Sequence, residues 1–309
     1  MLDGELMTKL KYKNAILMSA FGPSPYFIDQ VATIVAQMND GDILIIVDDG
    51  SRQVKWDSLR KVPGQFVFWS RLERLGASAS FLQLIVDTEI DAEYYYLSDQ
   101  DDLWMLDKLS VQAKYARNKP HEINATVHAW LDLKSGEAGG GYKPAFCPLK
   151  KLSAAHYCFE TPAPGMTMSF NHECQRMFLK NAELIKRFGN QLPHDRILMA
   201  LVGIYGSVHI ISKPLVQYRQ HAHNVVGAPG KGLLEIWAKR IRSPFRTWRT
   251  ATQGRALYFA LIENNQDTND DMRNYRSLGR MHLRTDPFED WIIRRFVILL
   301  GFVDRIFSK

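Results

Sequence analysis

Short apolar runs that each close on a turn constrain this chain more than any other feature. Asn14–Ala20 reads NAILMSA; Asp42–Val47 reads DILIIV and is followed by Asp48-Asp49-Gly50-Ser51; Tyr94–Leu97 is followed by Ser98-Asp99-Gln100-Asp101-Asp102. Runs this continuous are buried on both faces, as in the middle of a parallel sheet. After the Gly22-Pro23-Ser24-Pro25 break, Phe27, Ile28, Val31, Ile34, Val35 and Met38 recur at helical spacing. Gln65–Trp69 reads as a further short strand and Ser78–Val86 as a helix. Strands alternating with helices require right-handed crossovers, so the expected class is α/β with a mainly parallel sheet. Ligands on such sheets bind beyond the carboxyl ends of the strands, which is where both acidic clusters fall.

Further along, Ala125–Leu133 reads as a strand, followed by a loop holding Gly136, Gly139, Gly140 and Gly141. Thr161–Gly165 is another break. Glu173–Phe188 reads as one helix, and a second runs from about Asp195 to Ile204. Ser207–Ile211 is a short strand leading into a polar loop, Tyr218–Asn224. Past Gly227 the strand pattern stops and long helical stretches follow. A boundary is therefore expected near residue 228, with a domain over 1–228 and a helical extension over 229–309. The net charge is +6, and Lys231–Arg255 alone holds seven basic residues against one acid, Glu235. The basic character is thus local and marks a surface for something anionic.

No window holds about 18 consecutive apolar residues, so no membrane-spanning helix is expected. The longest apolar candidate, Phe296–Val303, is flanked by Arg294, Arg295, Asp304 and Arg305. The opening MLDGELMTKLKYK lacks the apolar core of a signal peptide. Cys147, Cys158 and Cys174 are the three cysteines, with no Cys-x-x-Cys pair. A disulfide framework or zinc site is not expected, and a reducing cytoplasm fits.

Taken singly, the chemistry-bearing residues leave two readings open. Asp48 and Asp49 suit a strand-terminating Asp-Gly turn, or a carboxylate that accepts hydrogen bonds from a nucleotide. Asp99, Asp101 and Asp102 repel one another unless a cation or bound donors offset them, which suits an oxygen-ligand site for Mg²⁺ or Mn²⁺ holding a diphosphate. The alternative is an exposed acidic turn with Asp102 capping the next helix. Trp104 reads as an anchor for this loop. Asp195, after Pro193-His194, is either a helix N-cap or a base. Arg219, His221 and His223 suit phosphate contact and metal ligation, or an ordinary polar loop.

The order of these blocks narrows the reading. Asp48-Asp49-Gly50-Ser51, Ser98-Asp99-Gln100-Asp101-Asp102-x-Trp104, Gly165–Asn171, His194-Asp195 and Tyr218–Gly227 (YRQHAHNVVG) together resemble family 2 glycosyltransferases of the GT-A fold. The resemblance is greatest to their bacterial rhamnosyltransferase-like branch, and it covers roughly residues 12–228. It implies that the backbone around Ser19 and the carboxylate of Asp49 bind the nucleotide. Asp99 would approach the ribose and donor sugar, Asp102 would position that sugar, and Arg219 and Gln220 would lie near the diphosphate. Asp101 would ligate Mg²⁺ or Mn²⁺, with His221 completing the metal site, and Asp195 would be the general base. Two departures stand out: Ala20-Phe21-Gly22-Pro23 replaces the family's Tyr-Asn-Gly, and Arg196 stands where an aromatic residue is common.

The implied activity is inverting, metal-dependent transfer of a sugar from a nucleoside-diphosphate donor, with dTDP-rhamnose leading and UDP-hexoses competing. The acceptor would be a saccharide or lipid-linked saccharide in bacterial surface polysaccharide (O-antigen or capsule) synthesis, made by a hexosyltransferase-type enzyme. A sugar-phosphate nucleotidyltransferase is the first rival, but Ala20–Pro25 contains no Lys or Arg for its phosphate loop. A non-catalytic nucleotide-sugar- or membrane-binding protein is the second, and it leaves the acidic clusters unexplained. The interleaving of basic residues with Leu233, Trp237, Phe245 and Trp248, and the apolar stretch from Trp291 to Phe302, point to peripheral attachment at the cytoplasmic membrane face. Packing on the catalytic domain or a second subunit is the alternative. No nucleic-acid recognition motif accompanies the charge.

Overall fold

The computed structural model describes residues 11–22, 24–54, 56–59, 62–87, 90–117, 121–134, 141–143, 154–161, 163–220, 244–264 and 275–307. Contacts group residues 1–147, 162–195 and 205–220 into one unit, and 148–161, 196–204 and 221–309 into another.

The first unit opens with β1 (Lys11–Ala20), α1 (Phe27–Val35), β2 (Asp42–Asp48), α2 (Trp56–Leu59), β3 (Phe66–Ser70), α3 (Ala77–Asp87) and β4 (Asp91–Ser98). It continues through β5 (Leu103–Trp104), α4 (Lys108–Arg117), β6 (Asn124–Lys134) and β7 (Tyr142–Lys143). After α5 (Ala154–Phe159), which belongs to the second unit, come β8 (Ser169–Asn171), α6 (His172–Lys180) and α7 (Ala182–Gly189). Helix α8 (His194–Tyr205) and β9 (Ser207–Gln220) follow.

The strands form one sheet in the order β3-β2-β1-β4-β8-β6-β9-β5, with β7 paired to β6. β3, β2, β1 and β4 are mutually parallel, as the apolar runs require, and β6 is parallel to β9. β8 lies antiparallel between β4 and β6, and β5 is antiparallel to β9. Ile43 to Val47 are buried throughout, because helices cover both faces of a sheet joined by crossovers. The register pairs Ala20 with Asp48 and Met18 with Ser98. The two acidic turns therefore leave the sheet at one edge. Trp104 is buried in the core cluster beside Tyr96 and Leu109, as an anchor should be.

Two elements differ from their expected extent. The helix expected over 173–188 is divided at Asn181, whose Nδ2 donates to the Met177 carbonyl at 2.9 Å. Asparagine competes for backbone partners in this way, and the helix restarts one residue later. The strand expected over 207–211 runs 14 residues to Gln220, so Tyr218, Arg219 and Gln220 are sheet rather than loop. Residues 221–224 of that expected loop lie outside the described residues.

In the second unit, α9 (Pro244–Asn264) packs against α5 and against α11 (Pro287–Phe307), with the short α10 (Tyr275–Leu278) also on α11. Residue 228, the expected boundary, lies outside the described residues, and this unit also takes in 148–161 and 196–204. Cys158 and Cys174 are free and buried, and Cys147 is outside the described residues. Among the described residues no helix is long and apolar enough to cross a membrane.

Candidate active site

At the end of β2 the Asp48 carboxylate accepts from Ser51 N (3.1 Å), Ser51 Oγ (2.6 Å) and Arg52 N (2.7 Å), closing the turn. Asp49 is buried, and its Oδ1 and Oδ2 accept from the backbone N–H of Leu75 (2.9 Å) and Gly76 (2.7 Å). Between them Gly50 has φ +80°, and a Cβ there would stand 2.8 Å from Arg74 N. Only glycine lets the 73–76 backbone come this close. Both oxygens of Asp49 thus hold the segment that enters α3. Ser19, at the end of β1, donates from Oγ to Ser80 Oγ (2.8 Å) on α3.

The turn after β4 is tied back to the turn after β1. Gln100 Oε1 accepts from Phe21 N (3.0 Å), and its Nε2 donates to Phe21 O (3.1 Å). This two-point clasp holds the Ala20–Pro23 stretch, where the sequence departs from the family pattern, and the Arg74 guanidinium lies over the Phe21 ring at 3.9 Å. Gln30 Nε2 on α1 donates to Ser98 Oγ at 2.8 Å, fixing the start of the acidic turn.

The acidic turn after β4 lies against the end of β9. Burial first, then the charges of Asp101 and Asp195, push the Asp99 carboxyl well above the usual carboxylate range. The charge of Asp195 thus acts on Asp99. Since α8 begins at His194, Asp195 stands inside its first turn rather than ahead of it. Asp102 is fully buried; its Oδ1 accepts from Arg219 N (3.2 Å), while Oδ2 has no hydrogen-bond partner. Burial, Asp99 and Asp101 raise its pKa well above the ordinary value, against the Arg219 N–H and Lys108. Asp102 does not cap a helix, since α4 begins only at Lys108. The Arg219 side chain turns to α1: Nη2 lies 3.1 Å from Asp29 Oδ2, and the guanidinium stands over Tyr26 at 4.4 Å. Gln220 ends β9 opposite Lys134. His221 lies outside the described residues.

Beneath this turn lies a polar network that the sequence reading did not reach. Lys108 Nζ is fully buried, 2.7 Å from Gln112 Oε1, 2.7 Å from His128 Nε2 and 4.7 Å from the centre of the Trp104 ring. A carbonyl only accepts, so His128 Nδ1–H donates to Ala129 O at 2.6 Å, and Nε2 of the neutral ring accepts from Lys108. Burial holds both Lys108 and His128 well below their ordinary pKa values. Gln112 passes the network on, donating to Thr126 Oγ1 (2.8 Å) and Thr167 O (3.0 Å). His194, which the sequence offers only beside Asp195, is packed against its neighbours. Its ring stacks on Phe81 at 4.6 Å, and its Nε2 would stand 2.1 Å from a Cβ on Gly165.

Three carboxylates in four residues, one with a buried oxygen lacking a hydrogen bond, are the donor chemistry that suits Mg²⁺ or Mn²⁺. Among the described residues no three His, Cys, Asp or Glu side chains converge to hold an ion by themselves. A ligand carrying its own phosphate oxygens needs only one or two protein carboxylates, so the turn fits such a shared ion.

No protein-family model matches the chain. Over 157 residues, 50% of its length, it is 29% identical to the dTDP-rhamnosyl transferase RfbG of Shigella flexneri. The match covers 52% of that protein, so the chain spans about half the length of this curated relative. Among solved structures, residues 1–349 of S. aureus TarS share the fold with a TM-score of 0.58 and 12% identity, over 95% of this chain and 82% of that one. The same TarS fragment in complex with UDP gives a TM-score of 0.54 at 9% identity, over 96% and 92% of the two chains. In complex with UDP-GlcNAc it gives 0.51 at 11% identity, over 93% and 90%. At these identities the likeness is one of fold.

Proposed function

We propose that the chain is a family 2 glycosyltransferase of the GT-A fold, metal-dependent and inverting, of the hexosyltransferase type. It moves a sugar from a nucleoside diphosphate to a saccharide or lipid-linked saccharide acceptor at the cytoplasmic membrane face, in surface-polysaccharide synthesis. The observation that carries this reading is that, just past the carboxyl end of β4, Asp99 feels the charges of Asp101 and Asp195 while Asp102 accepts from the Arg219 N–H. The RfbG similarity favours dTDP-rhamnose as donor, and the TarS complexes with UDP and UDP-GlcNAc support a nucleoside-diphosphate donor.

In the proposed mechanism the nucleotide lies across the ends of β1 and β2, against Ser19 and the segment that Asp49 holds. Asp99 and Asp102 meet the ribose and donor sugar; Arg219, and Gln220 beside it, face the diphosphate. Asp101, with His221, would hold Mg²⁺ or Mn²⁺, which when bound offsets the charge of the departing diphosphate. Asp195 takes the proton of the acceptor hydroxyl as it attacks the anomeric carbon. One base and one direct displacement give inversion.

The test is Asp195→Asn assayed against a panel of nucleotide sugars, alongside calorimetry of nucleoside diphosphate binding. The amide keeps the shape, so binding is expected unchanged while turnover falls about 10²–10⁴-fold. Turnover near the native rate would remove Asp195 as the base. In the same calorimeter, Asp101→Ala is expected to abolish the gain in nucleotide affinity given by Mn²⁺. A retained gain would move the metal elsewhere.

A further inference from the structure

Helix α11 is apolar on two sides, and the described residues cover only one. Ile293, Val297 and Leu300 are buried on the side that α9 packs against. The other side presents Trp291, Arg295, Ile298, Leu299 and Phe302, all exposed, at steps of three and four that keep them in one stripe. Trp291 is 52% exposed and Phe302 62%. A contiguous apolar stripe of this kind marks a contact with another apolar phase.

Charge decides which phase. The two acids at the start of α11 are taken up away from the stripe: Glu289 Oε2 accepts from Arg284 Nη2 at 2.6 Å, and the buried Asp290 carboxylate lies within 3.3 Å of His282 and 3.1 Å of Arg294. Among the described side chains of α11 no acid is exposed. What the stripe does carry is Arg295, whose guanidinium lies 5.5 Å from the Trp291 ring. On α9, exposed Arg249 adjoins Trp248, whose ring meets Phe296 edge-on at 5.5 Å. The sequence leading into α9 is basic too, with four Lys and Arg to one acid over 231–243. A second copy is a poor occupant. Two-fold pairing through so short a stripe would place the two Arg295 groups within about one helical turn of each other, without an acid between them.

We infer that the exposed stripe of α11 is a membrane-docking face. Trp291, Ile298, Leu299 and Phe302 enter the interfacial layer of an anionic phospholipid surface, while Arg295 and Arg249 meet the headgroups. The helix lies in the interface and does not cross it. The inference rests on the membrane-face placement proposed above and names the segment that supplies it; nucleotide binding and sugar transfer do not enter it, so a failure of vesicle binding is distinguishable from a failure of the proposed activity.

The test is co-sedimentation of the whole chain with vesicles of phosphatidylcholine alone or with about 30% phosphatidylglycerol, at low and high salt. The native chain is expected to sediment with the anionic vesicles and to be released by salt. Trp291→Ser combined with Phe302→Ser is expected to lower the partition coefficient at least about tenfold, since both side chains leave the apolar layer. Arg295→Glu, which keeps the apolar stripe, is expected to cost about tenfold on anionic vesicles only. Circular dichroism checks that the variants stay folded. Failure of the native chain to bind, or equal binding by the double variant, overturns the inference. So does a native dimer in sedimentation equilibrium that the double variant dissolves.

Discussion

Gly165 carries no side chain because the imidazole of His194 occupies the space one would need. Gly165→Ala puts a methyl group 2.1 Å from Nε2, and the ring, held between that backbone and Phe81, has to move. Asp195 is the next residue, so the displacement is expected to reach the proposed base. In steady-state kinetics kcat should fall about 10²-fold with the donor KM little changed. An unchanged kcat would show that His194 only fills space. Lys108 is the second such residue. Lys108→Met leaves Gln112 Oε1 and His128 Nε2 buried without their donor, and a loss of about 2–4 kcal/mol is expected in urea unfolding. Neither role could be read from the sequence. His194 borders a recognisable Asp, but nothing in its neighbours announces a ring stacked on residue 81. A lysine at the start of a helix reads as a solvated charge, and only the fold reveals that it is buried. The carboxylates were legible because three of them directly after a buried strand need an explanation. Gln100 stood in the same motif, yet its clasp on Phe21 joins turns 79 residues apart.

Among the elements, the parallel strands were the most legible, because burial on both faces leaves an unbroken apolar run. β9 was the least. Its last residues, Tyr218-Arg219-Gln220, are polar where they border the acidic turn, so the pattern that identifies a strand fades where the site begins. In the second unit the long helices past residue 243 were legible as helical stretches, while α5 and the ion pairs around it were not. Glu160, following α5, accepts from Thr285 N and Oγ1 at 2.7 Å each and lies near His156 (3.3 Å) and Arg284 (3.6 Å). Burial alone would raise its pKa; these donors outweigh burial and hold it at about 2. A depressed folded-state value stabilises the fold above the unfolded value of about 4.3, and the contribution is lost as pH falls from there towards 2. Glu160→Gln is expected to lower stability at neutral pH by about 2 kcal/mol and to flatten the acid slope between these values. Denaturant unfolding at a series of pH values measures both, and an unaltered slope would contradict the assignment.

At the scale of the molecule, the backbone passes between the two units at residues 147–148, 161–162, 195–196, 204–205 and 220–221. A fragment cut at residue 228 therefore keeps α5 but loses α9, its packing partner in the second unit. Phe159 and Cys158, now buried, would be uncovered. Such a fragment is expected to aggregate or to unfold at lower denaturant than the whole chain, as light scattering and a urea titration would show. A monomeric fragment of native stability would mean that residues 1–228 form a self-sufficient domain. The same crossings set an order of events during translation. Helix α5 leaves the ribosome about 85 residues before α9 begins, which at roughly 5–20 residues per second is a wait of several seconds. For that interval its apolar side chains have no α9 to meet, and they are a natural target for whatever shields nascent chains.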